Sequence, residues 1–320
     1  MKTKKHTILK KSVLIIVTFL ILLSLLGQTD LGNFSSQDNS EFNYVTIQKN
    51  TIRYLQKGQG KDILLIHGSP GSIEDWNKII DSLSVDYRVT AFDRLGHGYS
   101  SDYEYSHHIE DNAILTNQII KQFNLKSPLI VGHSYGGSTA AFMAVNDNNS
   151  DQKYIILDSP LYEIKMQPIY MTTTLPVLGK GFSLLFSYTI SDMFIENGLN
   201  DILVSIDTNQ RNTIIKQRQH IWSQPKVIFN KSMETKNYNS DLKQISNRYP
   251  NLKSHFTIVT TKDTLKTFRK DCEKFHKEIP NSSLIYLENT GHYIQIERPW
   301  AVLNIIRQKM EGQPSSYKKQ

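Results

Sequence analysis

The chain has 320 residues, 39% hydrophobic and 21% charged, which is enough to bury a sizeable core in one large domain or in one domain with an insertion. That composition excludes a disordered chain and a disulfide scaffold, and the single Cys272 has no partner for an internal bridge. The formal net charge of +7 sits mostly at the start, where Lys2, Lys4, Lys5, Lys10 and Lys11 precede the first acidic residue, Asp30. The body is therefore near neutral and offers no nucleic-acid surface, and neither zinc-finger spacing nor an RNA-binding glycine-aromatic motif occurs.

After the lysines comes "VLIIVTFLILLSLL", residues 13 to 26, with no charge and no helix breaker. As a helix it spans roughly 21 Å, short of the roughly 30 Å hydrocarbon layer unless flanking residues such as Thr7 to Lys11 and Gly27 contribute. The length suits a signal peptide, but no A-x-A pattern follows, and the lack of a nearby cysteine excludes a lipoprotein signal. Residues 1–32 thus read as a signal peptide or an uncleaved membrane anchor. In both cases the lysines stay cytoplasmic and the rest lies beyond the membrane, attached to it or released. The polar residues 33–43 read as a tether.

Structure is expected from residue 44. "YVTIQKNTIRYLQKG" predicts a hairpin turning at Lys49-Asn50. "DILLIHG", "YRVTAFD", "PLIVGHS", "KYIILDS", "HFTIVTT" and "SLIYLEN" are short apolar runs of the kind produced by parallel strands buried on both faces. Helical patterns separate several of them: "IEDWNKIIDSLS", "HIEDNAILTNQIIKQF" and "STAAFMAV". The alternation predicts an α/β fold, a mostly parallel sheet with helices on both faces. It lapses over 161–250, where aromatic and aliphatic residues recur at helical spacing without a strand. This stretch reads as a helical lid inserted in a core made of 44–160 and 251–312, the alternative being helices that simply pack on the sheet.

In "GHSYGG", Ser134 stands where a strand must turn sharply into a helix, and Gly132 and Gly136 occupy the crowded positions beside it. A serine there is either an exposed nucleophile or part of a tight turn. Neither a Walker pattern nor G-x-G-x-x-G is present, so the turn has no phosphate signature and no cofactor is implied.

With "LLIHGSPGSIEDW", "AFDRLGHGYS" and "VGHSYGGS" in this order, the chain from about residue 44 to about residue 312 resembles the α/β-hydrolase family. The three segments look like that family's oxyanion loop, the loop after its fourth strand, and its nucleophile elbow. The resemblance implies an eight-stranded sheet and a Ser-Asp-His triad in that chain order: Ser134, Asp263 after "FTIVTT", and His292 in "LENTGHYIQIERP". His292 would accept the Ser134 proton and Asp263 would orient the imidazole. The backbone N–H groups of Ser69 and Tyr135 would form the oxyanion hole. The chain departs from the family at the acid, with Thr260-Thr261-Lys262 before Asp263 and Thr264 after it where proline is common. Asp158, ending "IILDS", is the alternative acid.

Other polar residues read as structural. His67, His97 and Asp93 fall in loops, Trp76 and Trp222 suit either core or pocket, and His107-His108 lacks further ligands at metal spacing. Serine at the elbow, where epoxide hydrolases and haloalkane dehalogenases carry aspartate, argues for acyl transfer. The expectation is a carboxylic ester hydrolase acting on a small, neutral or hydrophobic substrate. Peptide cleavage of the prolyl aminopeptidase type is an alternative, since "HGSPGS" is near that group's H-G-G-P-G. Carbon–carbon bond hydrolysis, perhydrolysis and a non-catalytic hydrolase-like receptor also remain open.

Overall fold

The computed structural model describes residues 2–34, 41–101, 106–147, 149–164, 170–263 and 266–312. In chain order it contains α1 (Lys2–Leu26), β1 (Asn43–Ile47), β2 (Asn50–Lys57), β3 (Lys61–Ile66), a 3-10 turn Ile73–Trp76 running into α2 (Asn77–Ser84), β4 (Tyr87–Phe92), α3 (Ile109–Gln122), β5 (Leu129–His133), α4 (Tyr135–Val145) and β6 (Lys153–Leu157). Five helices follow: α5 (Tyr170–Thr173), α6 (Gly179–Ser187), α7 (Ser191–Ile202), α8 (Thr208–Trp222) and α9 (Pro225–Ser246). The chain then returns to the sheet with β7 (His255–Thr261), α10 (Lys266–Glu278), β8 (Ser282–Leu287), α11 (Ile294–Glu297) and α12 (Pro299–Met310).

All six apolar runs are strands. The eight strands form one sheet in the order β1-β2-β4-β3-β5-β6-β7-β8, antiparallel at β1, β2 and β4 and parallel across the rest. Successive residues of each central strand enter different cores, as a period of two requires. Leu64, Ile66, Ile130 and Ile156 pack under α3, α4, α9 and α10, whereas Ile63, Leu65, Val131 and Ile155 pack under α2 and α12. Trp76 belongs to the second core. The hairpin turns one residue earlier than expected: Ile47 pairs with Asn50, and Gln48, at φ 55°, and Lys49 form the turn.

The helices from α5 to α9 connect β6 to β7, with no strand among the described residues of that stretch. Part of their apolar surface meets the sheet loops in a third cluster containing Tyr99, Leu199, Trp222, Val227 and Tyr293.

At the other end of the chain, α1 is one continuous helix whose segment Ile8–Leu26 has a mean hydropathy of 2.3 and is almost wholly exposed. Its 19 residues extend about 28 Å, long and apolar enough by length and composition to cross a membrane. The residues after it are not a free tether. The Phe34 amide donates to Gln224 Oε1 at 2.7 Å, and Asn33 Oδ1 accepts from the Lys226 amide at 2.8 Å. Residues 35–40 of the expected tether lie outside the described residues.

Candidate active site

Ser134 lies between β5 and α4 with φ 53° and ψ −121°, a left-handed backbone that costs an ordinary side chain about 1–3 kcal/mol. The surrounding structure enforces it. The Ser134 amide donates to the Leu157 carbonyl of β6 at 3.0 Å, and the Gly137 amide closes back on the Ser134 carbonyl at 2.9 Å. A side chain on Gly132 would begin 2.3 Å from the Gly136 carbonyl oxygen, and one on Gly136 would begin 2.1 Å from that of Ile66. The elbow therefore closes only with glycine at both positions. Ser134 and His292 line one cavity of about 510 Å³.

His292 is the point at which the structure departs from the sequence reading. Its Nδ1 meets Oδ2 of Asp158 at 2.7 Å, not Asp263. Asp158 is fully buried immediately after β6, at φ 41°, and its second oxygen accepts from Thr260 Oγ1 at 2.8 Å. Asp263 is exposed, and its Oδ2 accepts the Thr290 amide at 3.2 Å, which braces the loop leading to His292 from outside. The physical reason lies in the sheet order. β6 is next to β5, so an acid at its tip lies between the elbow and the histidine loop, whereas Asp263 comes two residues beyond the end of β7, on the solvent side. Thr260, one residue before the end of β7, serves Asp158.

The histidine loop is held from several directions. The His292 carbonyl accepts from Nε2 of buried His133 at 3.0 Å, and its amide donates to the Ile202 carbonyl at the end of α7 at 3.0 Å. Burial holds the His133 imidazole well below its ordinary pKa, so the neutral ring donates that hydrogen bond. Glu297 accepts the Gly291 amide at 2.8 Å and the Val204 amide at 2.8 Å, tying the same loop to the chain after α7.

Facing the elbow, Gly68 and Ser69 follow β3. An added side chain on Gly68 would begin 3.0 Å from Ser134 Cβ. The Gly68 carbonyl accepts from His67 Nδ1 at 2.8 Å and from an Arg94 guanidinium nitrogen at 2.8 Å, and His67 Nε2 accepts the Arg94 amide at 2.9 Å. Glu234 of α9 completes the support, bonding Arg94 at 2.6 Å, His97 Nε2 at 3.1 Å and the Ser69 hydroxyl at 2.6 Å. Burial raises the Glu234 pKa, but Arg94 and its hydrogen-bond partners outweigh that and hold the carboxyl well below the ordinary range. Burial pushes His97 down to about 4. His67 and His97 are thus scaffold groups, and so is Asp93, which pairs with Arg53 at 2.6 Å and accepts the Ile73 and Tyr99 amides. His108 Nδ1 bonds Asp241 at 2.6 Å, and Trp222 lines the cavity.

Glu234 and Glu297 were missed by sequence reasoning, and Thr260 and His133 were seen there without the partners the structure gives them. Glu234 had a faint signature: with Asn230, Tyr238, Asp241 and Leu242 it recurs along the buried face of α9 at helical spacing, and a charge on a buried helical face needs a buried partner.

Comparison with known proteins agrees with this architecture. The family description "alpha/beta hydrolase fold" matches residues 62–299. A non-heme haloperoxidase from Rhodococcus erythropolis is 34% identical over 100 residues, covering 31% of this chain and 36% of that protein. A pimeloyl-acyl-carrier-protein methyl ester esterase from Vibrio atlanticus is 28% identical over 134 residues, 42% of this chain and 50% of the esterase. The chain thus spans half or less of the length of these two curated relatives. Among solved structures, an alpha/beta hydrolase fold protein from Burkholderia ambifaria superimposes with a TM-score of 0.68 at 18% identity, covering 82% of this chain and 96% of that one. With the family match extending over most of the chain and an eight-stranded sheet of this order beneath it, the protein belongs to the α/β-hydrolase fold family.

Proposed function

We propose that the protein is a serine hydrolase that cleaves a carboxylic ester through an acyl-enzyme, with Ser134 as nucleophile, His292 as general base and acid, and Asp158 as the orienting acid. The observation that carries this reading is that His292, held from behind by buried Asp158, lines the same cavity as Ser134 on its strained elbow. With Nδ1–H held by Asp158, the Nε2 lone pair of His292 is left to take the Ser134 proton as Oγ attacks the acyl carbonyl. The oxyanion receives the backbone N–H groups of Ser69 and of Tyr135, the first residue of α4, where the helix start favours negative charge. The imidazolium returns its proton to the departing alkoxide. Water, deprotonated by the same nitrogen, then releases the acid.

The helices α5 to α9 act as the lid in this reading. Phe186, Phe194, Ile195 and Trp222 give the cavity an apolar wall suited to a hydrophobic acyl group. An aminopeptidase would need a carboxylate for the substrate ammonium, and among the described lining residues Asp201 is the only acid, with Lys231 in the same lining. The helix α1 anchors the chain in a membrane, with its lysines cytoplasmic and the hydrolase domain on the opposite side. The test is hydrolysis of p-nitrophenyl esters of increasing chain length beside aminoacyl anilides, prolyl included, with Ser134→Ala as control. Ester turnover lost in the control is expected, and selective cleavage of the prolyl anilide would overturn the ester assignment.

A further inference from the structure

The apolar helix α1 does not stand apart from the domain. Its last turn packs on α6, where Leu23 is buried and Ser24 Oγ donates to the Val177 carbonyl at 3.1 Å. Two glycines bring the backbones into contact: a side chain on Gly27 would begin 2.3 Å from the Gly181 amide nitrogen, and one on Gly181 would begin 2.4 Å from the Leu23 carbonyl oxygen. Such contact fixes where α6 sits relative to any bilayer that α1 crosses.

The surface beside that contact is apolar. Outside α1, exposed large apolar side chains concentrate between residues 171 and 194, including Met171, Val177, Leu185, Tyr188, Met193 and Phe194. Elsewhere on the domain they are scattered singly, as at Val85, Ile114 and Trp300. Val177 is 75% exposed with φ 64°, a backbone region that a β-branched residue enters only under constraint. The turn is closed by the Leu178 amide, which donates to the Pro176 carbonyl at 2.7 Å, and it leaves the valine side chain outward beside the end of α1. Phe194 is half-exposed on this face and also lines the cavity with Ser134, as do Thr173 and Phe186 from the neighbouring helices. Through Phe194 the lining of the cavity reaches this exposed apolar stretch.

We propose that the α5–α7 face rests in the interfacial layer of the bilayer crossed by α1, so that the cavity opens against lipid and takes a long-chain acyl ester dissolved in the membrane. This deepens the anchored serine hydrolase reading and rests on it. The docked end of α1 sets the height, the exposed aliphatic side chains enter the acyl boundary, and Tyr188 suits the headgroup level.

The test uses the full chain reconstituted in phosphatidylcholine vesicles. Single cysteines replacing Val177, Met193, Leu14 or Val85 are labelled with an environment-sensitive fluorophore, Cys272 being buried, and quenched by brominated lipid. Quenching at 177 and 193 comparable with that at 14, and none at 85, is the expected result. Quenching at 14 but not at 177 or 193 overturns the docking while leaving the anchor intact, and no quenching at 14 brings down the anchor itself. In a second readout, Met193→Asp should slow hydrolysis of a long-chain ester carried in the vesicles roughly tenfold or more while leaving a soluble short-chain ester unaffected. Equal effects on both esters would overturn the proposal, and inactivity of the parent chain on the soluble ester would instead refute the hydrolase reading beneath it.

Discussion

The loops after β6 and β7 each offer an aspartate to His292, and they differ in almost every physical respect. Asp158 is fully buried, sits in a left-handed backbone, and divides its two oxygens between His292 Nδ1 and Thr260 Oγ1. Asp263 faces solvent and accepts one backbone amide at 3.2 Å. A carboxylate removed from water keeps its charge only where donors converge on it, and those donors also fix its direction. On the proposed mechanism, burial and converging donors single out the orienting acid, and its place in a motif does not.

The comparison can be sharpened from the largest effect downward. Ser134→Ala sets the floor: kcat on p-nitrophenyl esters should fall about 10⁴-fold or more, and a variant retaining a tenth of the activity would remove the nucleophile from the account. Glu234 is a second buried, multiply bonded carboxylate. Glu234→Gln should cost about 3–5 kcal/mol in denaturant unfolding, because buried Arg94 loses its counter-charge, and loss below 1 kcal/mol would show that buried donors count for little here. Thr260→Val deprives only the Asp158 side of a donor. About 1–3 kcal/mol of stability and roughly tenfold in kcat should go with it, with Asp263 unaffected.

The smallest effect concerns acid. Burial pushes the pKa values of His67, His97 and His133 down, that of His97 to about 4, so the unfolded chain binds more protons through these three as pH falls below about 6.5. Burial pushes Asp75 and Asp271 up to about 6, so through these two the folded chain binds more below that value. Burial raises Asp93 in the same direction, but the unfolded histidines take up protons at a higher pH than these acids do, and Glu234 and Glu74, held low against burial by Arg94 and Arg53, add to proton binding by the unfolded chain toward pH 5. Stability should therefore fall between pH 7 and pH 5, by up to about 1.4 kcal/mol per pH unit for each unbalanced proton. A melting temperature that rises over this interval would contradict the assignment of neutral buried imidazoles.

The sheet was legible because parallel strands buried on both faces leave near-continuous apolar runs, and "DILLIHG" or "HFTIVTT" admits little else. The elbow was legible because glycines at 132 and 136 answer a local steric demand. The acid was not, since it depends on which strand tip lies nearest His292 in space. The sequence offered both Asp263 and Asp158, and the departure at Thr260–Lys262, where the family-like pattern failed before Asp263, did not decide between them. Glu234 reaches Ser69 across 165 positions of chain, a distance over which no spacing rule operates. The docking of Asn33 and Phe34 on α9 was hidden in a polar stretch whose composition alone suggests a flexible tether.

The central claim is tested most directly by kcat for Asp158→Asn and Asp263→Asn on one p-nitrophenyl ester at pH 7. The account predicts a loss of about 10³–10⁴-fold for Asp158→Asn, because the amide no longer holds the imidazole in its working tautomer, and a change within about threefold for Asp263→Asn. The reverse ranking, with Asp263→Asn the crippled variant, would contradict it.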